Sequence, residues 1–390
     1  MSDLLTRGIQ SIYPSKEFVE KKIKKGQKLS IYLGIDPTGP NLHLGHAIAL
    51  KKLAQFQKEG HKIILLFGDF TAMIGDPDKS STRIPLTRKQ VLKNLKNYKK
   101  QASKLISFSG KNKAQIKFNS KWLKKMKFED VLDLASKVTV QQILERDLFD
   151  RRIKEGKPVF LHELMYPLMQ GYDSVAMDVD GEIGGNDQTF NMLCGRDLMK
   201  NIKGKEKFVI TMKILEDNQG NKMGKTEGNM VSLSDNAEEM FRKVMSWSDN
   251  LILPGFELCS NLSTEEIERV AKRMAQGINP RDLKMKLAYE ITKIYYGSKE
   301  AQQAQESFIN TFQKNKIPED ARELKAKEGD LLIDVLIRND LVKSKIDFRR
   351  LVDNRAITNL DTEEKVKKYE SVIKFNSYRI GKKRFCKIIN

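Results

Sequence analysis

Residues 62–68 read K-I-I-L-L-F-G, five apolar side chains without a polar break between a lysine and a glycine. A short run of this kind fits a strand buried on both faces, as inside a parallel sheet. Residues 30–36, S-I-Y-L-G-I-D, form an earlier apolar run that ends at the turn Asp36-Pro37-Thr38-Gly39-Pro40. Between the two, apolar residues fall at 44, 47, 48, 50, 53, 54 and 56, a helical spacing that stops at Gly60. Strand, helix and strand within about 40 residues make one βαβ unit, and such a unit requires a parallel pair covered by a helix. The expected fold class is α/β, with a Rossmann-like parallel-sheet domain suited to nucleotide binding.

The length of 390 residues allows two or three domains. Charged residues make up 31% and mean hydropathy is −0.51, the profile of a soluble protein. No run approaches 18 apolar residues, so no membrane span is expected. The start, M-S-D-L-L-T-R-G-I-Q, lacks the apolar stretch of a signal peptide. Cys194, Cys259 and Cys386 are scattered and odd in number, which argues against a disulfide framework and for a reducing cytoplasm. A net charge of +20 attracts polyanions. A lysine-rich surface would give the same excess, so charge alone does not identify a nucleic-acid binder.

Residues 120–177 are mostly helical in pattern. Residues 181–188, G-E-I-G-G-N-D-Q, are rich in turn formers, and the strand-like F-V-I-T-M follows at 208–212. Helical, charged segments come next at 234–247, 263–277 and 280–313, then a charged stretch at 314–330 that reads as a linker. Residues 331–390 make a last compact unit, with fifteen Lys/Arg against eight Asp/Glu. It shows two short amphipathic helices, the second bearing the basic cluster Lys343, Lys345, Arg349 and Arg350, suited to phosphate contacts.

Two of the four histidines, His43 and His46, stand three apart in H-L-G-H, just after the Asp36–Pro40 turn. At helical spacing they share one face. Asn41 is the expected N-cap, and Pro40 closes the loop. A helix N-terminus after a parallel strand offers N–H groups and a dipole to phosphate, and two imidazoles can donate to phosphate oxygens. Gly45 between them leaves room for a flat ligand such as adenine. Zinc is the competing use of a histidine pair. A zinc site needs three or four ligands and none stands nearby at metal spacing, so no metal bound by the chain is expected. Far downstream, residues 217–229 read D-N-Q-G-N-K-M-G-K-T-E-G-N. Lys222 and Lys225 frame Met223 and Gly224 there, and Thr226 follows. Two cations on such a loop can close over a pyrophosphate as charge builds during transfer, although alone they also fit a solvated basic turn.

Taken together, H-L-G-H at 43–46 resembles the HIGH signature of class I aminoacyl-tRNA synthetases, and K-M-G-K-T at 222–226 resembles their KMSKS signature. Further stretches are similar to the tyrosyl-tRNA synthetases of bacterial type: Y-L-G-I-D-P-T at 32–38, G-D-F-T-A-M-I-G-D-P at 68–77, N-S-K-W at 119–122, Y-P-L-M-Q-G-Y-D at 166–173 and G-G-N-D-Q at 184–188. The resemblance runs over essentially the whole chain. Leu44 stands for isoleucine in the first signature, and Gly224 and Thr226 stand for two serines in the second. The segment around Lys79 and Arg83 is one residue shorter than the family form, so neither is assigned to the pyrophosphate.

The resemblance implies a tyrosine–tRNA ligase that forms tyrosyl-adenylate from L-tyrosine and ATP, the latter with Mg²⁺, and passes the tyrosyl group to tRNA(Tyr). Tyr32 and Asp173 would hold the substrate phenol, and Tyr166, Gln170 and Asp76 its ammonium, with Asn119 in the same pocket. The spacing of Tyr166, Gln170 and Asp173 independently puts all three on one helix face, with Pro167 in the first turn. His43, His46, Thr38, Lys222, Lys225 and Thr226 would act on the triphosphate. Gly34, Asp36, Gly45, Gly185, Asp187, Gln188 and Met223 would line the ATP site. The implied domains are a catalytic one over 1–228, with a helical dimerisation insertion at about 120–165, an α-helical anticodon-binding one over 229–325 and an S4-like α+β RNA-binding one over 331–390. A homodimer in the cytoplasm is expected. The alternatives are a tryptophanyl enzyme, which shares both signatures, and a non-catalytic RNA-binding protein on the same scaffold.

Overall fold

The structure, a computed structural model of the chain, describes residues 3–76, 85–216, 230–312, 321–362, 364–381 and 384–390. Lys79, Arg83, Lys222, Met223, Lys225 and Thr226 lie outside the described residues. The chain divides into two compact units, Met1–Gly297 and Ser298–Asn390.

The first unit holds a six-stranded sheet of β1 (Ile9–Tyr13), β2 (Ser30–Ile35), β3 (Lys62–Phe67), β4 (Gln115–Phe118), β5 (Gly181–Gly185) and β6 (Phe208–Met212). Their order is β1-β6-β5-β2-β3-β4, parallel except for β1, which runs antiparallel to β6. The expected βαβ unit is there: β2, the helix Leu44–Lys58 and β3, with Gly60 at φ +82° ending the crossover. Every residue of β3 after Lys62 is buried, as is every residue of β6. From β2 the chain builds outward through β3 to β4, then crosses to the other side of β2 to lay down β5 and β6. That reversal between β2 and β5 is a topological switch point, where an open α/β sheet leaves a crevice at its carboxyl ends. The ladder between β2 and β5 consists of Ile31 with Gly181 and Tyr32 with Glu182, well short of those ends.

Two local expectations are corrected. Asn41 is not the N-cap; His43 is, with extended φ −132° and ψ 174°. The reason is tertiary: Leu44 N–H donates to the Val231 carbonyl at 3.0 Å and Leu233 N–H to the Leu42 carbonyl at 2.9 Å, so residues 42–44 are held extended against 231–233. The glycine-rich stretch that begins at 181 is mainly strand rather than turn. A Cβ on Gly181 would lie 2.1 Å from the Phe208 ring, so glycine is what lets β5 pair closely with β6. Four helices follow the sheet at Ala237–Met245, Ile252–Cys259, Thr264–Ala275 and Pro280–Tyr296, and the pattern read as one helical region over 280–313 breaks at Gly297, φ +91°.

The second unit opens with the helix Ser298–Phe312 and carries a four-stranded sheet of β7 (Arg322–Lys325), β8 (Ile357–Asn359), β9 (Ser377–Ile380) and β10 (Arg384–Ile389), in the order β7-β10-β9-β8. The helices Leu332–Arg338 and Lys345–Asp353 bury Leu332, Val335, Leu336, Phe348 and Val352 with Ile357, Ile380 and Ile388 in one core. The stretch expected as a linker therefore contains β7, which pairs in parallel with β10. All three cysteines are buried, and burial pushes each thiol up to about 12. Among the described residues no helix is long and apolar enough to cross a membrane.

Because the Gly181 contact is with a rigid ring, Gly181→Ala should cost about 1–3 kcal/mol of stability. Urea unfolding should show the loss, and Phe208→Leu in the same chain should recover part of it by making room.

Candidate functional site

The carboxyl ends of β2, β3, β4 and β5 bring the polar groups of the sequence signatures together. Asp36 follows β2 and stands at the centre. Its Oδ2 accepts from the Tyr166 hydroxyl at 2.9 Å and its Oδ1 from Thr71 Oγ1 at 2.7 Å. Gly68, just past β3, makes this possible, since a Cβ there would lie 1.9 Å from Asp36 Oδ1. Asn119, fully buried after β4, donates through Nδ2 to Thr71 Oγ1 at 2.9 Å and to Asp173 Oδ2 at 3.3 Å. Its Oδ1 accepts from the Phe70 amide at 2.9 Å. Asp173 Oδ1 accepts from Trp122 Nε1 at 2.7 Å. One continuous hydrogen-bonded chain thus runs Tyr166–Asp36–Thr71–Asn119–Asp173–Trp122. Burial pushes the Asp173 carboxyl well above the usual carboxylate range, against the downward pull of Trp122 and Asn119. Burial, then the facing carboxylates, push the Tyr32 and Tyr166 hydroxyls far up, so both stay protonated.

Tyr166, Gln170 and Asp173 occupy one face of the helix Tyr166–Met177, with Pro167 in its first turn. Each meets a different partner. Gln170 Nε2 lies 3.4 Å from Glu182 Oε1. Tyr32, wholly buried, bonds to Ser174 Oγ at 2.9 Å rather than to Asp173. Behind them Lys207 Nζ donates to Ser174 Oγ at 2.8 Å and to Glu182 Oε2 at 2.5 Å. Asp76 is fully engaged: Oδ1 pairs with Arg146 Nη2 at 2.9 Å, and Oδ2 accepts from Gln188 Nε2 at 2.8 Å. Gln188 thus reaches from the end of β5 to Asp76, with Asn191 Nδ2 donating to its Oε1 at 2.9 Å.

The H-L-G-H turn borders the same crevice. His46 Nδ1 accepts from the His43 amide at 3.3 Å, and the two rings lie 3.9 Å apart, centre to centre. A Cβ on Gly45 would meet the His43 ring at 2.9 Å, so glycine is what lets that imidazole lie close over the start of the helix. Gly34 is exposed on β2, and Thr38 N–H donates to the Asp36 carbonyl at 2.8 Å. Gly185 ends β5, and a Cβ there would lie 2.6 Å from Oδ1 of the exposed Asp187. The loop with the second signature lies outside the described residues, but the chain resumes against residues 42–44 through Val231 and Leu233.

In the second unit, Lys345, Arg349 and Arg350 sit on the helix Lys345–Asp353, whereas Lys343 precedes its N-cap Ser344. All four are exposed. Arg350 pairs with Asp347 at 2.5 Å, and the Arg349 guanidinium lies 5.7 Å from the Tyr369 ring.

Thr71, Trp122, Arg146, Ser174, Glu182 and Lys207 were not singled out from sequence. Only Thr71 and Trp122 carried a signal, since both fall inside quoted family stretches. Lys207 and Glu182 are 0% and 3% exposed, so breaking the pair strands a buried charge. Lys207→Met should cost about 3–5 kcal/mol, and Glu182→Gln added to it should restore much of that loss in thermal unfolding.

Comparison with known proteins places the chain in a family. The family model for tRNA synthetases class I (W and Y) matches residues 24–313. A tyrosine–tRNA ligase of Thermotoga maritima is 40% identical, over 99% of this chain and 96% of that one. One from Shewanella oneidensis is 43% identical, over 98% and 97%. Among solved structures, a C-terminally truncated mitochondrial tyrosyl-tRNA synthetase of Aspergillus nidulans aligns with a TM-score of 0.66 at 21% identity, over 78% of this chain and 91% of that one. A tyrosyl-tRNA synthetase of Archaeoglobus fulgidus, solved with L-tyrosine, aligns at 0.61 and 22% identity, over 78% and 98%. The chain belongs to the class I tRNA synthetases of the W and Y family, with full-length kinship to the tyrosine–tRNA ligases of bacteria.

Proposed function

We propose that this chain activates L-tyrosine with ATP and transfers the tyrosyl group to tRNA(Tyr). The observation that carries the reading is the hydrogen-bonded chain from Tyr166 through Asp36 and Asn119 to Asp173, at the switch point of the sheet. It supplies a buried acceptor at one end and an anionic centre at the other, the polarity of an amino acid with a phenol. Asp173 accepts a hydrogen bond from the phenol and Tyr32 faces the same oxygen; Tyr166, Gln170 and Asp76 serve the ammonium. Asn119 acts as a brace between Thr71 and Asp173. Phenylalanine would bring no donor to the buried Asp173 and no oxygen to Tyr32, and a tyrosyl enzyme is the standard example of such rejection, by a factor on the order of 10⁵.

In the first step a tyrosine carboxylate oxygen bonds to the α-phosphorus of ATP, and the bond to pyrophosphate breaks. The carboxylate is ionised at neutral pH, so no general base is required. Positioning and charge stabilisation supply the rate. His43, His46 and Thr38 serve the triphosphate from the helix end, with Lys222, Lys225 and Thr226 opposite. Gly34, Asp36, Gly45, Gly185, Asp187, Gln188 and Met223 line the nucleotide. Mg²⁺ travels with ATP, held mainly by its phosphates. In the second step a hydroxyl of the terminal tRNA ribose attacks the acyl carbon and AMP leaves. Residues 229–325 serve as the anticodon-binding region and 331–390 as an S4-like module, with Lys343, Lys345, Arg349 and Arg350 on phosphates. The enzyme works in the cytoplasm.

The test is ATP–pyrophosphate exchange with tyrosine, tryptophan and phenylalanine in parallel. Exchange with tyrosine alone is expected; exchange with tryptophan would reassign the pocket, and none at all would favour a non-catalytic RNA binder. Lys225→Ala should lower adenylate formation steeply and leave tyrosine binding almost intact.

A homodimer through the insertion is supported by its exposed apolar side chains: Phe128 and Leu161 are each 77% exposed, with Leu132, Val140, Ile153 and Phe160 also outside the core. Phe128→Asp with Leu161→Asp should convert a dimer to a monomer in sedimentation equilibrium; a wild-type monomer would remove this part of the reading.

A further inference from the structure

The wholly buried Ser174 hydroxyl has two hydrogen-bond partners, Lys207 Nζ at 2.8 Å and Tyr32 Oη at 2.9 Å. Lys207, paired with Glu182, is an ammonium that can only donate. Ser174 therefore accepts from Lys207, and its single proton has one acceptor within reach, the oxygen of Tyr32. With water excluded, a misdirected proton would leave a buried donor unpaired. Tyr32 Oη then accepts from Ser174, and its own proton must point away from Ser174. Two carboxylates act on the Tyr32 hydroxyl: Glu182, which accepts a hydrogen bond from it, and Asp173. Glu182 also accepts from Lys207 at 2.5 Å and Gln170 at 3.4 Å, so a substrate phenol oxygen beside Tyr32 competes for its proton with a carboxylate that other donors already satisfy.

We propose that Lys207, acting through Ser174, is a positioning residue that fixes Tyr32 as a hydrogen-bond donor toward the amino-acid substrate and so sharpens selection of tyrosine over phenylalanine. The order of protons runs Lys207 to Ser174, Ser174 to Tyr32, Tyr32 to the substrate phenol oxygen, and the phenol to Asp173. This direction matters because both Asp173 oxygens are set as acceptors, toward Trp122 Nε1 and Asn119 Nδ2. A substrate phenol that gives its proton to Asp173 needs a donor for its own oxygen, and the relay makes Tyr32 that donor. The same ion pair reaches the other end of the substrate, since Glu182 also holds Gln170. The inference rests on the tyrosine pocket proposed above and adds what orders it.

The experiment measures kcat/KM for pyrophosphate exchange with tyrosine and with phenylalanine. It uses the full chain and two variants that cut the relay at different places: Ser174→Ala, which leaves the ion pair intact, and Lys207→Met with Glu182→Gln, which removes the donor without stranding its partner. Each should lower the tyrosine-to-phenylalanine ratio by about tenfold or more, the value of one buried hydrogen bond. Combining all three substitutions should add little, because they interrupt one unit. A loss of folded enzyme would lower both substrates equally and leave the ratio unmoved. A ratio within threefold of wild type in Ser174→Ala would overturn the proposal, and that variant decides the matter alone if the double variant does not fold. Wild-type chain that exchanges with tryptophan or with nothing would instead overturn the tyrosine reading, and this inference with it.

Discussion

Lys207 and Glu182 face each other across 2.5 Å with almost no contact with water. Removing two charges from water is costly, and the cost is offset only when geometry and further hydrogen bonds satisfy both groups. Here the extra bonds go to Ser174 and Gln170 on the helix Tyr166–Met177, and through Ser174 to Tyr32 on β2. Glu182 lies within β5, and Lys207 immediately precedes β6. A single buried pair thus joins three neighbouring strands and the helix that carries the pocket's polar face. Removing either partner alone would leave the other charge buried and unpaired beneath the pocket.

The sheet topology explains why polar groups gather where they do. The strand bodies are apolar on both faces, so a polar side chain is tolerated there only with a partner, as at Tyr32 and Glu182. At the carboxyl ends the switch between β2 and β5 opens a crevice, and Asp36, Thr71, Asn119 and Gln188 all arise within a few residues of a strand end. The H-L-G-H helix starts beside them because residues 42–44 are drawn into an extended pairing with 231–233. That pairing brings the chain out of the segment holding the second signature directly onto the first, across about 180 residues of sequence.

Much of this was legible in the residues. The uninterrupted run at 62–68 and the helical spacing between 44 and 56 gave the βαβ unit, because burial on two faces and on one stripe leave different periods. The four-and-three spacing of Tyr166, Gln170 and Asp173 gave the helix face. What was hidden is long-range. Nothing local marks Lys207 as buried among 71 Lys and Arg residues, or couples Tyr166 to Asp36. Gly181 looked like a turn former because its constraint is the Phe208 ring, which sequence does not reveal. β7 was missed because R-E-L-K buries only Leu324, and its apolar partners come from the far end of the chain.

Arg146 shows how the helical insertion reaches the pocket. It leads into the helix Asp147–Lys154, and its guanidinium holds Asp76. That helix is anchored in turn by Arg152, 2% exposed, which pairs with both oxygens of Glu163 at 2.7 and 3.0 Å. Glu163 also accepts from the Phe160 amide at 2.8 Å, in the stretch where Phe160 and Leu161 turn their side chains outward. The path from those exposed apolar groups to Asp76 is therefore short and built of charge-assisted bonds, the stronger class of hydrogen bond. Asp76 has both oxygens occupied, by Arg146 and Gln188, so a cationic group arriving there must share an acceptor with a guanidinium already in place. An isolated ammonium would meet repulsion from Arg146. In the tyrosine reading proposed above, the substrate's own carboxylate, on the carbon that bears its ammonium, would offset that repulsion at this end of the crevice.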